Sequence, residues 1–145
     1  YEHTDIGFNY RMSNLLAALG RAQLSRLERG IARRRQIRER YEASFPQFDW
    51  LASATTERPN HWLSTALLPE GRSTERFCQD LATSGIEARP LWKPMHAQPV
   101  FASAERIGGA VSDEMFRRGV CLPSGSSLTP EDQDRVIDAM RAALS

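Results

Sequence analysis

The sequence predicts an α+β domain, in which one long amphipathic helix leads into a sheet of about three strands covered on one side by further helices. Three observations carry this. Apolar residues recur at three- and four-residue steps from Met12 to Phe45, the mark of a helix with one buried stripe. Beyond it, short β-compatible runs alternate with helical periods and are closed by proline and glycine. Finally, Thr129-Pro130-Glu131-Asp132 places a capping hydroxyl, an N1 proline and two acids at the start of a last helix.

The stripe of the first helix comprises Met12, Leu15, Leu16, Leu19, Leu27, Ile31, Ile37, Tyr41 and Phe45, with Ser13 as N-cap and Pro46 as stop. An unbroken helix over residues 13–44 would be about 45 Å long at 1.5 Å per residue. That exceeds what a compact domain of this size needs, so the helix is expected to bridge to another unit. His61 to Leu68 reads as a strand closed by Pro69-Glu70-Gly71. Ser73 caps a helix through Phe77 and Leu81 that ends at Gly85, and Ile86 to Arg89 is extended before Pro90, a β-α-β step. Three prolines make Pro90 to Phe101 a shaped loop. A short helix over Val111 to Arg118 precedes a strand at Val120 to Leu122, and the last helix turns Val136, Ile137, Met140 and Leu144 inward.

The 145 residues, 41% of them hydrophobic, suffice for one domain with a core. Nineteen basic against eighteen acidic residues leave a net charge of +1, so no global field draws nucleic acid or an anionic membrane. Apolar runs fall far short of the roughly 20 residues that span a bilayer. Tyr1-Glu2-His3-Thr4-Asp5 has neither an initiator methionine nor the features of a secretory signal, which suggests a piece of a longer cytoplasmic protein. Cys78 and Cys121 stand far apart and are expected as reduced, partly buried thiols. The run Arg33-Arg34-Arg35 with Arg38 and Arg40 is interrupted by glutamates and reads as a solvated helix face. Lys93 is the sole lysine beside eighteen arginines.

Two segments say more than their periodicity. GFNYRMSNLLAALGRAQLSRLERGIARRRQIRERY, Gly7 to Tyr41, resembles the stretch that opens the carboxy-terminal part of DegT-like (DegT/DnrJ/StrS) sugar aminotransferases. IEARPLWKPMHAQPVF, Ile86 to Phe101, resembles that family's substrate-side loop, and VCLPSGSSLTPEDQDRVIDAMRAAL its closing strand and helix. The resemblance implies the small carboxy-terminal domain of an aspartate-aminotransferase-like fold over residues 1–145. Residues 13–44 would then link to a large domain, within an obligate homodimer whose active sites are shared between subunits. It implies pyridoxal 5'-phosphate (PLP) as cofactor and a nucleotide-linked keto-sugar as substrate, with glutamate as amino donor. The family's Schiff-base lysine and most of its phosphate cradle lie upstream of the GFNYRM motif. No catalytic residue is therefore expected in this chain, and the chain alone is expected to be inactive.

Six residues are candidates for contact. Asn9 matches the asparagine that in relatives reaches the PLP phosphate of the neighbouring subunit, and its amide is a suitable donor. An ordinary turn asparagine before a helix is the alternative. Arg11 stands equally for a phosphate contact or for surface charge. His96, held between Pro94 and Pro99, is a substrate contact or a structural hydrogen bonder, and no second histidine stands at metal-ligand spacing. Arg89, Trp92 and Lys93 give the same loop cationic and stacking groups suited to a diphosphate and a base. A dehydratase of the same family, with histidine in place of the upstream lysine, and a non-catalytic interaction module remain open readings.

Overall fold

A computed structural model describes residues 2–51 and 57–145. The first helical region is two helices, not one: α1 (Asn14–Leu24) and α2 (Leu27–Ser44). Ser13 caps α1 as expected, its Oγ accepting from Leu16 N. The break falls at Ser25 and Arg26. Ser25 Oγ donates back to the Ala22 carbonyl at 2.9 Å, and Arg26 leaves the helical region at φ −109°, ψ 4°. A serine hydroxyl bonded to the preceding turn competes with the backbone ladder and loosens a helix there.

The predicted stripe is likewise only half covered. Ile37, Tyr41 and Phe45 are buried, whereas Met12, Leu15, Leu16 and Leu19 are 54–84% exposed and no residue of α1 is buried. The arginine run is not a solvated face either. Arg38 is buried; its guanidinium donates to the Thr65 and Leu51 carbonyls and to Glu42 and lies 4.9 Å over the Trp50 ring. Arg33 donates to the Leu128 carbonyl and Arg40 to that of Pro130. These side chains staple α2 to the rest of the fold.

The sheet has four strands. β1 (Asp49–Trp50) arises in a stretch without a sequence signal and pairs antiparallel with β2 (Ser64–Leu67). β2 starts three residues later than predicted, because His61 takes φ 49° and Asn60 Oδ1 accepts from Trp62 N to make a turn. α3 (Thr74–Thr83) is capped by Ser73 and leads to the short β3 (Arg89–Pro90). α4 (Ala110–Arg118) runs directly into β4 (Gly119–Leu122), and α5 (Pro130–Leu144) closes the chain with Thr129 as its cap. The order is β1-β2-β4-β3 with every pairing antiparallel, so β4 lies between the strands of the expected β-α-β step. The 90–101 loop holds two single-turn 3-10 segments, Met95–Ala97 and Pro99–Phe101.

One face of β2 and β4 presents Ala66, Val120 and Leu122, which join Ile37 and Tyr41 of α2, Phe77 and Leu81 of α3, and Val136, Ile137 and Met140 of α5 in one core. An aromatic group of Tyr41, Phe45, Phe48, Trp50 and Phe77 closes its end, with Trp50 Nε1 donating to the Phe45 carbonyl. Gly119 is required at the α4–β4 junction, since a Cβ there would stand 2.2 Å from the Met115 carbonyl oxygen. Tyr41 Oη donates to the Pro123 carbonyl and Gln133 Nε2 to that of Ile37, fixing the 123–128 loop and α5 on α2.

Candidate functional site

The outer side of the sheet carries a cleft of about 290 Å³ between the residues leading into β2, β3 and the loop after β4. Trp62 and Trp92 stack at its rim, their centroids 6.0 Å apart and planes 23° from parallel, and both indoles remain more than half exposed. Arg89, Glu87, Cys121 and Pro123 line the rest. Arg89 reaches the cleft because β3 pairs it with Cys121 of β4, on the sheet face opposite the core. Its guanidinium also pairs with Glu87. An indole stack with a guanidinium at one end can take a planar ring and an anionic group together.

Of the predicted substrate residues, Arg89 and Trp92 meet in this cleft, while Lys93 and His96 face other partners on the same loop. Lys93 Nζ pairs with Glu2 at 2.6 Å and holds that carboxyl below its usual range. His96 Nε2 lies 2.7 Å from Asp113 Oδ1, and Arg106 pairs with the other oxygen of that carboxylate. The hydrogen bond to His96, and then that to Arg106, lowers the Asp113 pKa. Gly109, at φ 101°, lies against the imidazole, where a Cβ would come 2.7 Å from His96 Cε1. This triad ties the 95–101 turns to the start of α4.

The amino-terminal segment is pinned to the same loop. His3 N donates to Gln98 Oε1, Val100 N donates to the His3 carbonyl, and buried Gln98 donates on to the Lys93 carbonyl. Beyond this anchor, Ile6 to Met12 runs out exposed. There Asn9 Oδ1 accepts from Arg11 N at 2.8 Å, an Asx turn that holds Arg11 at φ 60°. The Asn9 carboxamide oxygen is thus engaged locally, and among the described residues no acceptor takes its NH₂. Neither residue lines the cleft.

Sequence reasoning missed Trp62, Asp113, Arg106 and Gln98. Trp62 falls in a run that reads only as strand, and Asp113 and Arg106 in a stretch with no pattern until His96 faces them. His61, beside Trp62, has its pKa lowered by burial, with Arg38 and Arg35 adding to it.

The DegT/DnrJ/EryC1/StrS aminotransferase family is matched over residues 1–141. Among relatives, the Bacillus subtilis protein EpsN, provisionally named a pyridoxal phosphate-dependent aminotransferase, is 42% identical over 147 residues, covering 97% of this chain and 38% of EpsN. The GDP-perosamine synthase of Caulobacter vibrioides is 37% identical over 145 residues, covering 96% and 39%. Among solved structures, the Helicobacter pylori protein PseC, an aminotransferase involved in the biosynthesis of pseudoaminic acid, superimposes with a TM-score of 0.81 at 19% identity, covering 98% and 40%. That likeness shows the fold, the α+β unit expected from the sequence. The chain spans about two fifths of the length of the relatives it matches.

Proposed function

Because the chain belongs to the DegT/DnrJ/EryC1/StrS aminotransferase family, we propose that it is the carboxy-terminal small domain of a PLP-dependent enzyme that aminates a nucleotide-linked keto-sugar, with glutamate as donor. The observation that carries this reading is the cleft in which the Trp62–Trp92 stack and Arg89 converge, a surface with the chemistry of a base joined to a diphosphate. Trp92 offers its ring, Arg89 its charge, and the loop that bears them is braced from below by Lys93–Glu2 and His96–Asp113. A braced loop positions substrate without ordering cost at each turnover.

Pyridoxal phosphate, when bound, supplies the electron sink and carries the amino group. The residues present suit only its edge: the NH₂ of Asn9, whose oxygen is engaged by Arg11 N, and the Arg11 guanidinium would donate to the phosphate. Lys93, the sole lysine, is engaged by Glu2 on the substrate loop, so the cofactor-anchoring amine comes from another part of the enzyme. The exposed apolar residues of α1 and of the segment before it fit a face covered by a large domain and by a second subunit, in a homodimer that shares its sites. Among the described residues no helix is long and apolar enough to cross a membrane, and we place the enzyme in the cytoplasm.

The test is made on the longer enzyme. Glutamate should convert the cofactor spectrum, and a keto-sugar nucleotide should restore it with release of the amino-sugar. Loss of a hydroxyl group from the sugar instead of amination would replace this reading with dehydration. Asn9→Ala should weaken PLP retention roughly tenfold or more, the loss of one charge-assisted hydrogen bond.

A further inference from the structure

We propose that the cavity at the break between α1 and α2 binds an oligophosphate, held by the guanidinium groups of Arg26, Arg29 and Arg34. The cavity has a volume of about 530 Å³ and is lined by these residues with Gln23, Arg33 and Ser126, with no carboxylate among its walls. A volume of that order suits a di- or triphosphate, alone or as part of a nucleotide.

Three features point to an anion rather than to a solvated basic surface. First, the arginines here differ from most of those elsewhere in the chain, where only Arg11, Arg21 and Arg35 also have no guanidinium partner among the described residues. Arg38, Arg40, Arg117 and Arg118 each meet a carboxylate or a backbone carbonyl, and Arg33 is tied to the Leu128 carbonyl. Among the described residues, no hydrogen bond or ion pair engages the guanidinium groups of Arg26, Arg29 or Arg34. Second, Arg34 Nε is shut off from solvent and has no acceptor. A buried donor without a partner is rare in native folds, and here it shows that the fold supplies no acceptor of its own to this guanidinium. Third, the nearest acid in sequence, Glu28, is not part of the cavity wall and faces Arg58 at 3.9 Å. Like charges gathered around one cavity repel each other, and an anion between them reverses the sign of that term. Leu27 and Gly30 of the first turn of α2, which has no side-chain cap, line the same wall. The site shares no residue with the Trp62–Trp92 cleft, although the loop after β4 borders both, through Pro123 and Ser124 on one side and Ser126 on the other.

The experiment is a calorimetric titration of the 145-residue chain with inorganic triphosphate at two salt concentrations. Saturable binding of one triphosphate per chain is expected. Arg26→Gln with Arg29→Gln, both exposed and free of structural bonds, should weaken it roughly tenfold or more and flatten its salt dependence. Arg135→Gln with Arg141→Gln on α5 should leave it unchanged. Arg34→Gln, checked for fold by circular dichroism, should weaken it as well. UTP and ATP binding no tighter than triphosphate assigns the site to the phosphate chain, and tighter binding of either assigns it to a nucleotide. Absence of saturable binding, or an equal loss in the α5 variant, would overturn the proposal.

Discussion

Arg38→Met tests how α2 is held, because it keeps most of the buried stem and removes the guanidinium. The side chain is 7% exposed, so its interactions are poorly screened. It donates to the Leu51 carbonyl at 3.0 Å and to the Thr65 carbonyl at 3.2 Å, and the latter also accepts from Leu51 N. The variant therefore strips the Leu51 carbonyl and weakens the bonding of the Thr65 carbonyl. Charge-assisted bonds to backbone are worth about 1.5–3 kcal/mol each, and the contact over Trp50 adds about 1 kcal/mol. The Glu42 partner is 42% exposed and adds little. The expected loss is about 3–5 kcal/mol, a third or more of the stability of an ordinary domain. Urea unfolding followed by circular dichroism and by Trp50 fluorescence reads it, with exposed Arg35→Met as the comparison. A loss below about 1 kcal/mol, the range of surface charges, would refute the staple and restore the solvated-face reading.

Tyr41 is fully buried and its hydroxyl donates to the Pro123 carbonyl, so burial pushes its pKa far above the ordinary 10.0. Its contribution to stability is complete below that value and is lost as pH rises past it, because the unfolded chain releases the proton first. Urea midpoints should fall between roughly pH 9 and 11 in the native chain and fall less in Tyr41→Phe; equal falls would remove Tyr41 as the cause. Burial raises Cys78 to about 11 and Cys121 in the same direction, so both thiols should react slowly with a disulfide reagent until urea is added. Prompt labelling of the native chain would contradict this. In the longer enzyme, His96→Ala and Asp113→Asn should both raise the KM for the sugar nucleotide and spare the glutamate half-reaction, as expected if Asp113 positions His96. Damage to His96→Ala alone would separate the pair.

The fold was legible where local chemistry and tertiary demand agree. Ser73 and Thr129 announce their helices through hydroxyls that do accept the N3 amides, and the Val136, Ile137 and Met140 face is buried. Three features were not legible, each for a nonlocal reason. β1 is two residues long and exists because β2 offers an edge and Phe45 offers a carbonyl to Trp50. The insertion of β4 between β2 and β3 depends on pairing with β2 across more than fifty residues and with β3 across at least thirty, which periodicity does not encode. The break at Ser25 follows from one hydroxyl choosing the Ala22 carbonyl in a stretch whose apolar steps read straight through.

The candidate site divides along the same line. Pro90, Pro94 and Pro99 mark a shaped loop, and the loop indeed folds into two 3-10 turns, but which side chains it turns toward the cleft depends on what grips it from beneath. Glu2 takes Lys93 and Asp113 takes His96, so two of the four loop residues grouped by sequence serve as its anchors. Trp62 comes from a different element and completes the stack with Trp92. A residue type suited to a ligand is equally suited to bracing a loop, because cations and imidazoles seek carboxylates in either role. Only the geometry separates the two: here Arg89 and Trp92 line the cleft, whereas Lys93 and His96 are held by Glu2 and Asp113.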